Sequence, residues 1–195
     1  MRPCFFLDRD GVLVEEVNYL ATPEELRLLP GAPRAVRLLN DAGIPAVVVT
    51  NQAGVARGIF PEERIAEIHR ELDRLLSREG ARVDRYYYCP HHPTAGVGPY
   101  RKDCPNRKPR PGMLLRAARE LDLDLGRSVL AGDKISDLQA GRAAGCRTIL
   151  VRTGYGRGIT REDLRKAGVA PWLVAEDLLE AVRRWLDAER GDGER

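Results

Sequence analysis

Two aspartates one residue apart close a short apolar run near the start of the chain, in FFLDRDGVL at residues 5–13. On an extended segment Asp8 and Asp10 project to the same side, because side chains alternate along a strand. Carboxylates this close repel each other unless a cation or a shared proton relieves them. Magnesium, a hard ion that takes oxygen ligands, would keep Asp8 ionised and shield it from a phosphate dianion. Asp8 could then attack phosphorus, with Asp10 protonating the leaving oxygen and afterwards activating water. Gly11 lets the chain turn away sharply. Taken alone, the pair reads more readily as the solvated end of a strand.

Three further segments suit the same chemistry. VVVTNQAGVARG at 47–58 places Thr50 at the end of an apolar run, where its hydroxyl and nearby N–H groups, with Asn51, can hold a phosphate oxygen. The plainer reading is that Thr50 and Asn51 cap a turn. In NRKPRPGML at 106–114, Lys108 can neutralise both Asp8 and a phosphoryl group, and Arg107 can grip phosphate through two N–H groups. VLAGDKISDLQAG at 129–141 supplies Asp133 as a third oxygen site for magnesium beside Asp8 and Asp10, and Lys134 as a phosphate contact. Asp137 reads as a helix cap in preference to a group supporting the metal.

These residues need rigid elements to bring them together. Apolar runs predict strands at 3–8, 44–50, 83–90, 127–133 and 147–154. Helical spacing and capping residues predict helices at 31–42, 61–80, 112–124, 137–145 and 176–190. The alternation implies an α/β fold, a Rossmann-like parallel sheet with helices on both faces. Ligands bind at the carboxyl ends of such strands, where all four motifs fall. One domain over 1–187 accounts for the chain, with 188–195 expected as a flexible tail.

Composition narrows the classes. The 195 residues carry a net charge of +3, with hydrophobic residues at 43% and charged residues at 31%, a globular balance. Arginine is scattered among acids, with no dense basic block beyond RKPRP at 107–111, so nucleic acid is not an expected partner. Runs such as IPAVVV at 44–49 are too short for a membrane span, and the opening MRPCFFLDRD does not read as a signal peptide. A cytoplasmic monomer acting on a small anionic metabolite is expected.

FFLDRDGVL resembles the first motif of the haloacid-dehalogenase superfamily. Thr50, Lys108 and Asp133 then follow in that superfamily's order, so the likeness spans 8–137. The resemblance implies Asp8 as nucleophile and Asp10 as general acid and base. DRDGVLVEE, TNQAGVARG, CPHHP and RKPRPGML together resemble a narrower group, the D-glycero-D-manno-heptose 1,7-bisphosphate 7-phosphatases, over about residues 4–155. That resemblance implies a fold without a large cap domain and removal of the 7-phosphate through an aspartyl-phosphate, in the route to activated heptose for surface polysaccharide. Histidinol phosphate is the alternative substrate, and a non-catalytic binding protein on the same fold is the alternative of a different class.

The family carries a zinc loop of pattern C-x-H…C-x-C. Here Cys89, His91 and Cys104 match it, while Asn106 stands in place of the last cysteine. Asparagine is a poor zinc ligand, so His92 or a water would complete a tetrahedral site. The competing reading makes Cys89 and Cys104 ordinary buried thiols.

Overall fold

Alternate residues of the first strand serve opposite layers: Phe5 and Leu7 enter one apolar cluster and Phe6 another, as a strand covered on both faces requires. The structure, a computed structural model, describes residues 1–96 and 98–193, with side chains to residue 190. Its strands are β1 (Phe5–Leu7), β2 (Ala46–Asn51), β3 (Arg85–Cys89), β4 (Val129–Gly132), β5 (Arg147–Val151) and β6 (Leu173–Ala175). Its α-helices are α1 (Ala32–Asp41), α2 (Glu63–Arg78), α3 (Gly112–Leu121), α4 (Ile135–Ala144), α5 (Arg161–Lys166) and α6 (Leu178–Gly193). The six strands form one parallel sheet in the order β3-β2-β1-β4-β5-β6.

Helices α1, α2 and α6 bury apolar stripes on the face that holds Phe5 and Leu7. Helices α3 and α4 cover the opposite face, over Phe6, Val47, Val49 and Leu130. Trp185 of α6 meets the Phe5 ring edge-on at 5.4 Å, tying the last helix to the strand that carries the acidic motif. The α/β expectation holds in full. The predicted elements are present with ends within three residues of those expected, most of them shorter because hydrogen-bonded ladders stop short of the apolar pattern. Strand β6 and helix α5 were not expected, since runs of three and six residues are too short to show a period. Helix α6 continues to Gly193, through most of the segment expected as tail, and residues 194 and 195 lie outside those described. Among the described residues no helix is long and apolar enough to cross a membrane.

Candidate active site

Strand β1 is central, with β2 on one side and β4 on the other, so the chain leaves its carboxyl end at a switch point where open α/β sheets bind ligands. Asp8 follows β1 directly, Thr50 and Asn51 end β2, and Asp133 follows β4. Backbone pairing fixes their relative height: Leu7 stands opposite Val48 and Ala131, and the Asp8 N–H donates to the Ala131 carbonyl at 3.0 Å.

Lys108 comes from the loop before α3, and β2 clamps it in place. The Asn51 amide donates to the Lys108 carbonyl and accepts from the Lys108 N–H, both at 3.0 Å. The ammonium donates to the Val49 carbonyl at 2.8 Å and lies 3.1 Å from Asp8 Oδ1 and 2.6 Å from Asp137 Oδ1. All three charged side chains are buried. Asp137 also caps α4, its Oδ2 accepting from the Lys134 N–H at 3.0 Å. The expected cap is therefore real, and the same carboxylate is in addition a counter-ion of Lys108.

Asp8, Asp133 and Asp137 present carboxylate oxygens within 4.8 Å of one another. The metal set read from sequence held Asp10 in the third place. In the structure the Asp10 carboxylate lies outside that group and is engaged by Arg9 and Gln52. Arg9 Nε and Nη2 donate to Asp10 Oδ1 at 3.1 and 3.0 Å, and Gln52 Nε2 donates to Oδ2 at 2.8 Å. Asp133 is approached closely by two glycines. A Cβ on Gly11, whose φ is +79°, would fall 2.1 Å from Asp133 Oδ2, and one on Gly154 2.3 Å from it. The Tyr155 N–H donates to that oxygen at 2.9 Å. Asp133 Oδ1 is buried and accepts no hydrogen bond, with the Lys134 ammonium 3.4 Å away.

The electrostatics differ along this row. Burial raises the Asp8 carboxyl, but the Lys108 and Lys134 charges and the Arg9 N–H outweigh it and hold Asp8 below the usual carboxylate range. Burial, set against Lys134 and reinforced by the negative charges of Asp8 and Asp137, pushes Asp133 up to about 7. Burial would lower Lys108, yet Asp137 and Asp8 keep it above its ordinary value. The nucleophile candidate is thus ionised, while Asp133 Oδ1 beside it is buried without a hydrogen bond.

A cavity of about 540 Å³ opens over this row, lined in part by Asp8, Asp10, Glu16, Arg107, Lys134 and Tyr155. Lys134 pairs with Glu16 at 2.8 Å and lies 4.9 Å from the centre of the Tyr155 ring. Arg107 borders the cavity and donates to the His91 carbonyl at 3.0 Å. Thr50 is buried and accepts from Gln52 Nε2 at 2.9 Å. Reading the sequence missed Gln52, Glu16 and Tyr155. Gln52 had a signal, standing two residues after Thr50, whereas Glu16 meets a lysine 118 positions away and nothing local marks it.

Cys89, His91 and Cys104 also come together, their ligand atoms within 4.8 Å of one another and Cys89 Sγ 3.7 Å from His91 Nδ1. Burial pushes the Cys89 thiol up to about 12. His92 does not join them, since its Nδ1 accepts from the N–H groups of Thr94 and Ala95 at 3.2 and 2.8 Å.

Known proteins resemble the chain over most of its length. The family described as haloacid dehalogenase-like hydrolase matches residues 5–73, and a HAD-hydrolase-like family matches residues 105–181. A D-glycero-D-manno-heptose-1,7-bisphosphate 7-phosphatase of Thermosynechococcus vestitus is 44% identical over 95% of both chains. A D-glycero-beta-D-manno-heptose-1,7-bisphosphate 7-phosphatase of Pasteurella multocida is 40% identical over 90% of this chain and 95% of its own. Among solved structures, a D,D-heptose 1,7-bisphosphate phosphatase from B. bronchiseptica, complexed with magnesium and phosphate, superposes with a TM-score of 0.83 at 37% identity. It covers 96% of this chain and 99% of that one.

Proposed function

Since the chain belongs to the D-glycero-D-manno-heptose-1,7-bisphosphate 7-phosphatase family of haloacid dehalogenase-like hydrolases, we infer that it hydrolyses the 7-phosphate of heptose 1,7-bisphosphate. The observation that carries the chemistry is the buried Lys108 ammonium shared between Asp8 and Asp137 on the floor of the cavity. It holds Asp8 as a carboxylate, able to act as nucleophile, in a place where burial alone raises its pKa.

Asp8 attacks phosphorus and Asp10, at the cavity wall, gives its proton to the departing sugar oxygen. Asp10 then takes a proton from the water that releases phosphate from Asp8. Lys108 and the Thr50 segment hold charge on the phosphoryl oxygens, while Lys134 and Arg107 serve the rim. Asn51 acts through Lys108, whose backbone it grips.

Asp8, Asp133 and Asp137 suit Mg²⁺, because they converge as hard oxygen donors and Asp133 Oδ1 is buried without a hydrogen bond. When bound there, the ion would offset the negative charge of substrate and carboxylates. We assign residues 1–187 to one catalytic domain. Four unpaired cysteines suit the reducing cytoplasm.

The test is phosphate release with Mg²⁺ from heptose 1,7-bisphosphate and from histidinol phosphate, compared by kcat/KM. A preference for the bisphosphate, abolished in Asp8→Asn, supports the assignment; a preference for histidinol phosphate or activity surviving in Asp8→Asn refutes it. We further propose zinc at Cys89, His91 and Cys104, a three-ligand set that joins the end of β3 to the residues before α3. About one zinc per chain by elemental analysis, lost in Cys104→Ser, is the expected outcome; wild-type protein purified without zinc would contradict it.

A further inference from the structure

Gln52 makes two polar contacts that the chemistry above leaves unused. Its Nε2 donates to Asp10 Oδ2 at 2.8 Å and to Thr50 Oγ1 at 2.9 Å, so both amide N–H groups are committed. The residue is buried, and its backbone N–H is pinned to the Cys89 carbonyl at 2.8 Å. Arg9, fully buried, grips the other side of Asp10 through Nε and Nη2. The Asp10 side chain remains 16% exposed and borders the cavity. Its carboxyl group is therefore held from two sides where it borders the cavity.

We propose that Gln52 is a positioning residue for proton delivery: braced by Thr50 and the Cys89 carbonyl, it aims the Asp10 carboxyl at the departing oxygen of the substrate. The inference rests on the phosphatase reading. In the step concerned, an Asp8 oxygen forms the new bond to phosphorus and the phosphorus–oxygen bond to the sugar breaks. The leaving oxygen keeps the bond pair and takes the Asp10 proton, giving a neutral sugar hydroxyl, a phosphorylated Asp8 and an ionised Asp10.

A sugar alkoxide leaves poorly without that proton, whereas p-nitrophenolate leaves without it. A residue that merely supports the fold would affect both substrates alike. The value of kcat/KM reports only steps up to departure of the leaving group, so later water activation does not enter it. The experiment measures kcat/KM with Mg²⁺ for heptose 1,7-bisphosphate and p-nitrophenyl phosphate in wild type, Gln52→Met and Gln52→Glu. The Glu variant keeps the size of the side chain and replaces the donor by an acceptor, and it carries the test should the Met variant not fold.

The expected result is a loss on the sugar phosphate at least about tenfold greater than on the aryl phosphate in each folded variant, a part of the roughly 10²–10⁴-fold that general acid catalysis contributes. Equal losses on both substrates, or no loss on either, overturn the proposal. A wild-type protein that hydrolyses the aryl ester alone refutes the substrate reading, and the inference falls with it.

Discussion

Replacing Lys108 by methionine tests the electrostatic account of the site directly. The substitution removes the ammonium that lies 3.1 Å from Asp8 Oδ1 and 2.6 Å from Asp137 Oδ1 while nearly keeping the volume. Asp8 is 4% and Asp137 0% exposed, so water screens the remaining charges poorly. Deleting one partner of a buried ion pair costs about 3–5 kcal/mol, because the remaining charge is left uncompensated. For a chain of this size each kcal/mol moves the midpoint by about 2–4 °C, so Tm should fall by about 6–20 °C in metal-free buffer near neutral pH.

The pH dependence adds a signature. Burial already raises the Asp137 carboxyl in the presence of Lys108, and without the lysine it rises further. An acid whose folded pKa lies above its unfolded one keeps its share of stability below the unfolded pKa and loses it as pH climbs toward the folded pKa. The deficit of Lys108→Met should therefore shrink in acid and grow toward neutrality. Adding Asp137→Asn, which can still cap α4, should restore part of the lost stability. Urea unfolding at several pH values decides the matter. A Lys108→Met protein within about 1 kcal/mol of wild type at neutral pH, or a double variant less stable than the single one, would refute the reasoning.

Two further outcomes follow from buried groups around the site. His69 stacks on Tyr86 with ring centres 4.2 Å apart, and burial with the nearby Arg9 charge lowers it to about 3 from 6.5. Its depressed pKa means that stability present above pH 6.5 is lost as pH falls toward 3, at up to about 1.4 kcal/mol per pH unit. Urea midpoints for wild type and His69→Gln should converge on acidification through this window. Gly11→Ala places a methyl group 2.1 Å from Asp133 Oδ2 at a φ of +79°. The left-handed backbone alone costs about 1–2 kcal/mol, and displacement of Asp133 should weaken Mg²⁺ affinity measured by calorimetry.

The linear order of residues determined the chemistry and the fold class. DxD at the end of FFL, a threonine closing VVV, the lysine of RKP and the aspartate after VLAG each stand at an element end, and alternating strands and helices leave few ways to arrange them. Those signals are local, since hydrophobic period, turn residues and the acids beside them lie within a few positions. Tertiary structure alone decided which groups face one another. It left Asp10 outside the carboxylate row, gave Asp137 a second partner, made Asn51 a clamp on Lys108 at the cavity wall and brought Glu16 to Lys134. Each of these depends on side-chain direction at a distance of a few ångströms between segments far apart in sequence. The parallel register and the two packed faces of the sheet set that direction, and no local pattern in the chain encodes it.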